Sequence, residues 1–260
     1  MKRVTWRVAA ASVCGTAHER AGMPCQDACG WRLLPGGVLL AAVADGAGSA
    51  TLAEVGAQIA VQTALSALTQ AARTYSGALS VAATEEWIRR SVMATREAVQ
   101  TEAAVQATPE REFACTLIAL VATPRFVIAA QIGDGATVVQ DASGGMSTLT
   151  APNEEGYINE THFLTDPDAM AHLHVHCCES RITAVAALTD GLQRLALKLP
   201  EAQPHRPFFE PLFRFVAESD SSMAETRLSA LLRSPRITQR ADDDLTLLLA
   251  THAGVAVSPE

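Results

Sequence analysis

The stretch Val38-Leu39-Leu40-Ala41-Ala42-Val43-Ala44-Asp45-Gly46-Ala47-Gly48-Ser49 decides how the chain is read. Seven apolar residues run without a polar interruption, so the segment reads as a strand buried on both faces. It stops on a carboxylate followed by glycine. A charge at the end of a buried strand is costly unless it is paired or metal-bound, and no basic residue adjoins this one. Ahead of it, Pro35-Gly36-Gly37 separates Val38–Ala44 from Trp31–Leu34, a hairpin signal.

Working outward, Val4 to Cys14 is strand-like, and a polar loop carries Gly15, Gly22, Pro24 and Gly30. Thr51 to Arg73 and Thr84 to Gln106 have helical periodicity, with Thr84 as a candidate cap for the second. β signals return at Phe113–Val121, Phe126–Ile132, Thr137–Gln140, Met146–Leu149, His172–Cys178 and Ile182–Leu188. Two helical patterns, Phe208–Glu218 and Met223–Leu232, lead to a last strand, Leu245–Thr251. Strands and helices thus come in blocks. Strict strand–helix alternation is absent, which predicts an α+β fold with mostly antiparallel pairing. Two stacked sheets with helices outside would satisfy that order.

The ending of the first buried strand recurs. Phe126–Ile132 runs into Gly133-Asp134-Gly135, Ile182–Thr189 runs into Asp190-Gly191, and Asp242-Asp243-Asp244 precedes the last strand. Asp27 sits in the early loop. One Asp-Gly after a strand is an ordinary turn; three such junctions and a triple Asp are harder to dismiss. Glycine beside each Asp leaves room for close backbone approach and for a carbonyl ligand. Hard divalent cations, Mg²⁺ or Mn²⁺, take such oxygen ligands and keep several waters.

Composition bounds the rest. The 260 residues are 48% hydrophobic and 18% charged, which excludes a disordered or collagen-like chain. The net charge of −8, with no Lys/Arg-rich run, argues against nucleic-acid or acidic-lipid binding by bulk electrostatics. Arg7 interrupts the apolar stretch after Met1-Lys2-Arg3, so a cleaved signal is not expected, and no apolar run approaches about 18 residues. The six cysteines, Cys14, Cys25, Cys29, Cys115, Cys177 and Cys178, read as free thiols of a reduced, cytoplasmic protein. No composition break marks a linker, so residues 1–260 are expected to form one domain.

Taken in order, these motifs resemble those of the metal-dependent serine/threonine protein phosphatases of type 2C, the PPM family. Val43-Ala44-Asp45-Gly46-Ala47-Gly48-Ser49 resembles the family's Val-x-Asp-Gly-x-Gly-Gly segment, and Ile132-Gly133-Asp134-Gly135-Ala136 its Gly-Asp-Ser-Arg segment. Leu188-Thr189-Asp190-Gly191-Leu192 is similar to Thr-Asp-Gly-Leu, and Asp243-Asp244-Leu245-Thr246 to the terminal Asp-Asn-x-Thr/Ser. Cys25-Gln26-Asp27 and Gly156-Tyr157-Ile158-Asn159-Glu160-Thr161 resemble a bacterial branch. The resemblance implies a four-layer αββα sandwich: two antiparallel sheets face to face with helix pairs outside. It also implies roles. Asp45 would bridge two metals, Mn²⁺ or Mg²⁺, with the Gly46 carbonyl on one and Asp190 and Asp243 on the other. Asp27 would bind through water, and Asp134 with Asp190 could hold a third ion. Attack would come directly from water, so neither Cys25 nor Cys115 needs to be a nucleophile.

The departures matter as well. Gln26 stands where the family has a carboxylate, and Asp244 where it has Asn, so an extra charge in one place could offset a lost one in the other. Gly22 occupies the position of the phosphate-binding arginine, which leaves Arg20 as the nearest candidate. Ala47 replaces a frequent histidine. His18, the sole histidine of the early loop, is then the candidate acid for the leaving alkoxide, alongside a metal-bound water.

Two further features stand out. In a strand, His172, His174 and His176 would share one face, but neighbours about 7 Å apart cannot comfortably share one ion; a polar strand face is the expectation. Ala151–Thr165, with Asn153, Glu154, Glu155, Tyr157, Asn159 and Thr161, reads as a long loop at the position of the family's flap beside the active site.

The expectation is therefore a bacterial-type phosphatase acting on phosphoserine and phosphothreonine in proteins, with a cognate serine/threonine kinase as its counterpart and without nucleic-acid or membrane partners. Two alternatives keep the same fold: a catalytically silent regulatory or binding module, and a phosphatase of a small phosphorylated molecule. Loss of the metal aspartates would signal the first, and they are present.

Overall fold

A computed structural model describes residues 5–77, 79–152 and 161–253. One five-stranded antiparallel sheet has the order β1 (Thr5–Val13), β12 (Leu245–Ala253), β9 (Ile182–Leu188), β6 (Ala136–Asp141), β7 (Met146–Thr150). The other runs β2 (Ala28–Leu34), β3 (Val38–Ala44), β4 (Leu117–Ala122), β5 (Val127–Ile132), β8 (His174–Cys178). A small ribbon pairs β10 (Leu197–Lys198) with β11 (Gln203–Pro204). The helices are α1 (Thr16–Ala21), α2 (Ala53–Thr74), α3 (Val81–Val105), α4 (Gln193–Ala196), α5 (Arg206–Glu218), α6 (Ser221–Leu232) and α7 (Pro235–Thr238).

Strand periodicity assembles the layers. On β3, Leu39, Ala41 and Val43 face the opposite sheet, where Val8, Val185, Ala187, Leu248 and Ala250 fill the space between. Leu40, Ala42 and Ala44 point the other way, onto Ala57, Ala60, Ala64 and Leu68 of α2 and Ile88 and Val92 of α3. The small residues of α2 let the helix lie close: a Cβ on Gly30 of β2 would come within 2.9 Å of Leu65. The outer face of the β1–β7 sheet packs on Phe209, Leu212, Phe213 and Val216 of α5 and Leu228 of α6. The order is helices, sheet, sheet, helices, the αββα sandwich expected. Trp6 joins the sheets, buried and donating from Nε1 to the Gly37 carbonyl (3.0 Å).

Antiparallel register brings the chemistry to one end. Val43 pairs with Ile118, so Asp45 leaves β3 beside the start of β4. Leu117 pairs with Ile132, so Asp134 lies at the same edge. In the other sheet, Leu188 lies opposite Leu247 and Ala136, which places Asp190 beside Asp243, Asp244 and the β5–β6 link. Ala28 pairs with Ala44, which sets Asp27 behind Asp45.

Local departures from the sequence reading have physical causes. Helix α3 starts at Val81, because Ser80 is its cap, accepting from the Ala83 amide (3.3 Å); Thr84 is buried in the first turn and donates back to the Ser80 carbonyl (2.8 Å). Phe113 belongs to a 3₁₀ turn rather than to β4. His172 lies in a 3₁₀ turn before β8, paired with Asp168 (3.1 Å) and stacked on His162 (ring centroids 3.5 Å), so only His174 and His176 share a strand face.

Candidate active site

The strand ends meet around a cavity of about 140 Å³ lined by Asp45, Gly46, Thr116, Asp134, Asp190 and Asp243. Thr116 fixes Asp45: its hydroxyl accepts from the Asp45 amide (3.0 Å) and its own amide donates to the Asp45 carbonyl (2.8 Å). Thr161 donates to Asp134 (2.7 Å), and the Gln193 side chain donates to the Asp134 carbonyl. Asp27 lies buried behind the cavity, where Thr189 donates to its Oδ2 (2.8 Å). Asp243 is exposed at the rim and accepts from the Asp244 amide (2.8 Å).

The glycines serve backbone approach. Gly133 has φ of +109°, and a Cβ there would meet Thr116 at 2.5 Å. A Cβ on Gly191 would stand 2.2 Å from the Asp244 carbonyl oxygen. Both positions hold two aspartate-bearing segments together.

Electrostatically, the cluster is under strain. Burial pushes the Asp27 carboxyl up to about 7, against hydrogen bonds from Thr246 and Thr189; the neighbouring carboxylates Asp244 and Asp190 add to the rise. Asp45 is raised well above the ordinary carboxylate range, first by burial and then by the charges of Asp27 and Asp190. Asp190 is raised by burial and by Asp134 and Asp243, while a hydrogen bond with Asp45 opposes the shift. Burial and mutual crowding thus disfavour charge on both Asp45 and Asp190. Asp27 Oδ1 and Asp190 Oδ1 are buried without a hydrogen-bond partner among the described residues.

That is the condition a divalent cation relieves: it offsets the crowded carboxylate charge and satisfies the orphaned oxygens. The donors are all hard oxygens, as Mn²⁺ and Mg²⁺ require. Among the described residues no three His, Cys, Asp or Glu side chains close on a single point as a ready cage. An ion here would therefore keep waters in its shell, as Mg²⁺ does.

The remaining sequence candidates lie elsewhere. His18 Nδ1 is 3.0 Å from Asp244 Oδ2, and Arg20 is exposed with Nε donating to the Thr16 carbonyl (2.8 Å). Neither lines the cavity. Gly22 ends α1 at φ +66°, a conformation that suits glycine better than arginine. Asp244 is not a spare metal carboxylate: it is buried and accepts from the amides of Gly15 (2.7 Å) and Gln26 (2.5 Å), pinning the early loop to β12. Burial pushes the Cys115 thiol up to about 12 and raises Cys25 too, which leaves both protonated and poorly nucleophilic. Residues 153–160 of the expected flap lie outside the described residues; Thr161 and Phe163, just beyond them, line the cavity. Sequence reasoning missed Thr116, Thr189 and Gln193. Thr189 alone carried a signal, as a hydroxyl directly before a strand-end Asp.

Residues 14–233 match the protein phosphatase 2C family. The chain belongs to that family. Serine/threonine-protein phosphatase 3 of Escherichia coli (strain K12) is 38% identical over 257 residues, covering 96% of this chain and all of that one. Among solved structures, a bacterial serine phosphatase superposes with a TM-score of 0.65 at 15% identity, covering 97% of this chain and 99% of the other. The catalytic domain of the serine threonine protein phosphatase PstP, in complex with 2 manganese ions, gives 0.59 at 17% identity, covering 96% and 99%. These two show the shared fold. This type 2C chain is a metal-dependent protein phosphatase of the serine/threonine class.

Proposed function

We propose that Asp45, the Gly46 carbonyl, Asp190 and Asp243 hold two Mn²⁺ or Mg²⁺ ions, with Asp27 behind them through water and Asp134 available to a third. The observation that carries this reading is the convergence of Asp45, Asp190 and Asp243 on one cavity, with orphaned buried oxygens on Asp27 and Asp190. Cations bound there supply positive charge for the phosphoryl oxygens and acidity for a nucleophilic water.

The chain's own residues do the positioning. Thr116 sets the Asp45 backbone, Thr161 and Gln193 set Asp134, and Thr189 sets Asp27. Geometry favours loop positioning for His18 and Arg20, since His18 faces Asp244 and Arg20 bonds within its own helix. Phosphoserine and phosphothreonine in proteins are the proposed substrates of this bacterial-type phosphatase, with a serine/threonine kinase making them. All six cysteines are unpaired, which supports a reducing, cytoplasmic setting; no helix among the described residues is long and apolar enough to cross a membrane. The core shared between the sheets supports reading residues 1–260 as one catalytic domain.

Calorimetric titration of the metal-free protein with Mn²⁺ tests the assignment. Two ions should bind to the wild type, and binding should be lost or much weakened in Asp45→Asn. Unchanged stoichiometry and affinity in that variant would remove Asp45 from the site.

A further inference from the structure

A second, larger depression of about 440 Å³ has the opposite charge. Its rim carries Arg194, Lys198, Arg236 and Arg240, all exposed, and its floor is apolar, with Leu197 and Ile237 buried. No acidic residue lines it. Four of the 20 Lys and Arg of a chain with net charge −8 gather here, so the local potential is opposite to that of the molecule as a whole. Some exposed arginines elsewhere pair with carboxylates: Arg90 with Glu86, Arg206 with Glu210, Arg233 with Glu19. These four side chains make no hydrogen bond or ion pair among the described residues. Like charges held together without counter-charges are unfavourable until an anion arrives.

Chain connectivity ties this cleft to the phosphatase site at two points. Arg194 follows Asp190 by four residues, through a 3₁₀ turn and α4, a rise of about 6–8 Å. Arg240 precedes Asp243 by three. Gln193, next to Arg194, also bonds the Asp134 carbonyl. An extended peptide advances about 3.4 Å per residue. A substrate with its phosphorylated residue in the cavity would thus reach the Arg194 edge of the cleft in about two to three residues.

We infer that the Arg194–Lys198–Arg236–Arg240 cleft docks a carboxylate-rich segment of the protein substrate, Asp or Glu residues from about two positions outward from the phosphoserine or phosphothreonine. Guanidinium groups pair with carboxylates through two parallel hydrogen bonds, and the apolar floor accepts the methylene and backbone portions of the segment. The inference rests on the phosphoprotein reading above. It adds a specificity surface that takes no part in the chemistry.

The test uses two phosphothreonine peptides that differ only in a flank of Glu or Gln, together with p-nitrophenyl phosphate. Wild type in saturating Mn²⁺ should show kcat/KM about ten-fold higher for the Glu peptide, carried by KM and shrinking as salt screens it. In Lys198→Gln/Arg236→Gln that preference should fall to about two-fold or less, with p-nitrophenyl phosphate turnover unchanged. Equal kcat/KM for the two peptides in wild type, or an undiminished preference in the variant, overturns the inference. So does a parallel loss on p-nitrophenyl phosphate, which would assign the cleft to folding or chemistry. If wild type hydrolyses p-nitrophenyl phosphate but neither peptide, the phosphoprotein reading fails instead. Docking is then decided by fluorescence anisotropy with the unphosphorylated Glu peptide. Salt-sensitive binding lost in the variant supports it, and no difference between wild type and variant refutes it.

Discussion

Asp45 and Asp190 both have raised carboxyl pKa values, because burial and the neighbouring carboxylates disfavour charge on each in the absence of a cation. Neutralising either should therefore hurt catalysis and spare the fold. In saturating Mn²⁺, Asp45→Asn and Asp190→Asn are expected to lose more than about a hundred-fold in kcat on a phosphothreonine peptide, since each removes a carboxylate of the proposed metal site. Their metal-free melting temperatures should equal or exceed that of the wild type. Asp244 carries the opposite expectation. It holds the Gly15 and Gln26 amides, and Asp244→Ala strands both donors at a cost of about 2–4 kcal/mol, read as a lower midpoint in denaturant unfolding. His18 leans on the same carboxylate. If it braces the loop, His18→Ala slows a phosphoserine peptide and p-nitrophenyl phosphate in equal proportion. A loss confined to the peptide would make it the leaving-group acid, because nitrophenolate departs without one.

Strand ends carry the site, and Gly191 shows how closely they are drawn together. A methyl group there would overlap the Asp244 carbonyl, so Gly191→Ala should lower both melting temperature and turnover, a pairing that neither aspartate variant produces. Much of this architecture was legible in the sequence. Val38–Ala44 and Ile182–Leu188 are strands with those bounds, since unbroken apolar runs stopped by Asp-Gly leave little freedom. Element ends where apolar pattern and backbone geometry disagree were not legible. Phe113 is apolar and fully buried yet belongs to a 3₁₀ turn, and His172 continues a strand pattern but is turned aside by Asp168 and His162. In the site, the aspartates stood out because a charge at a buried strand end is conspicuous. The threonines that orient them did not, since a hydroxyl inside an apolar run usually signals only a tolerated polar group. The pattern of residues alone does not separate Asp244 from Asp243, which only the family resemblance singled out; adjacent residues on the approach to a strand point to opposite sides, one to the cavity rim and one into the loop.

Across the molecule, the acidic cluster couples stability to pH and to metal. Asp27 titrates near 7 in the folded metal-free protein against an ordinary 3.8. The folded state therefore keeps a proton that the unfolded chain releases, and stability present at low pH is lost as pH rises from about 4 through 7. The metal-free wild type should melt at a higher temperature at pH 5.5 than at pH 7.5, and that difference should narrow in Asp27→Asn. Mn²⁺ displaces protons from the same cluster, so its stabilising effect should grow over the same window. That the carboxylates act through a divalent cation is tested most directly by phosphate release from a phosphothreonine peptide by the chelated and dialysed protein. Release should be absent, return on adding Mn²⁺, and fail to return in Asp45→Asn. Undiminished release after exhaustive chelation, or full recovery in that variant, would contradict it.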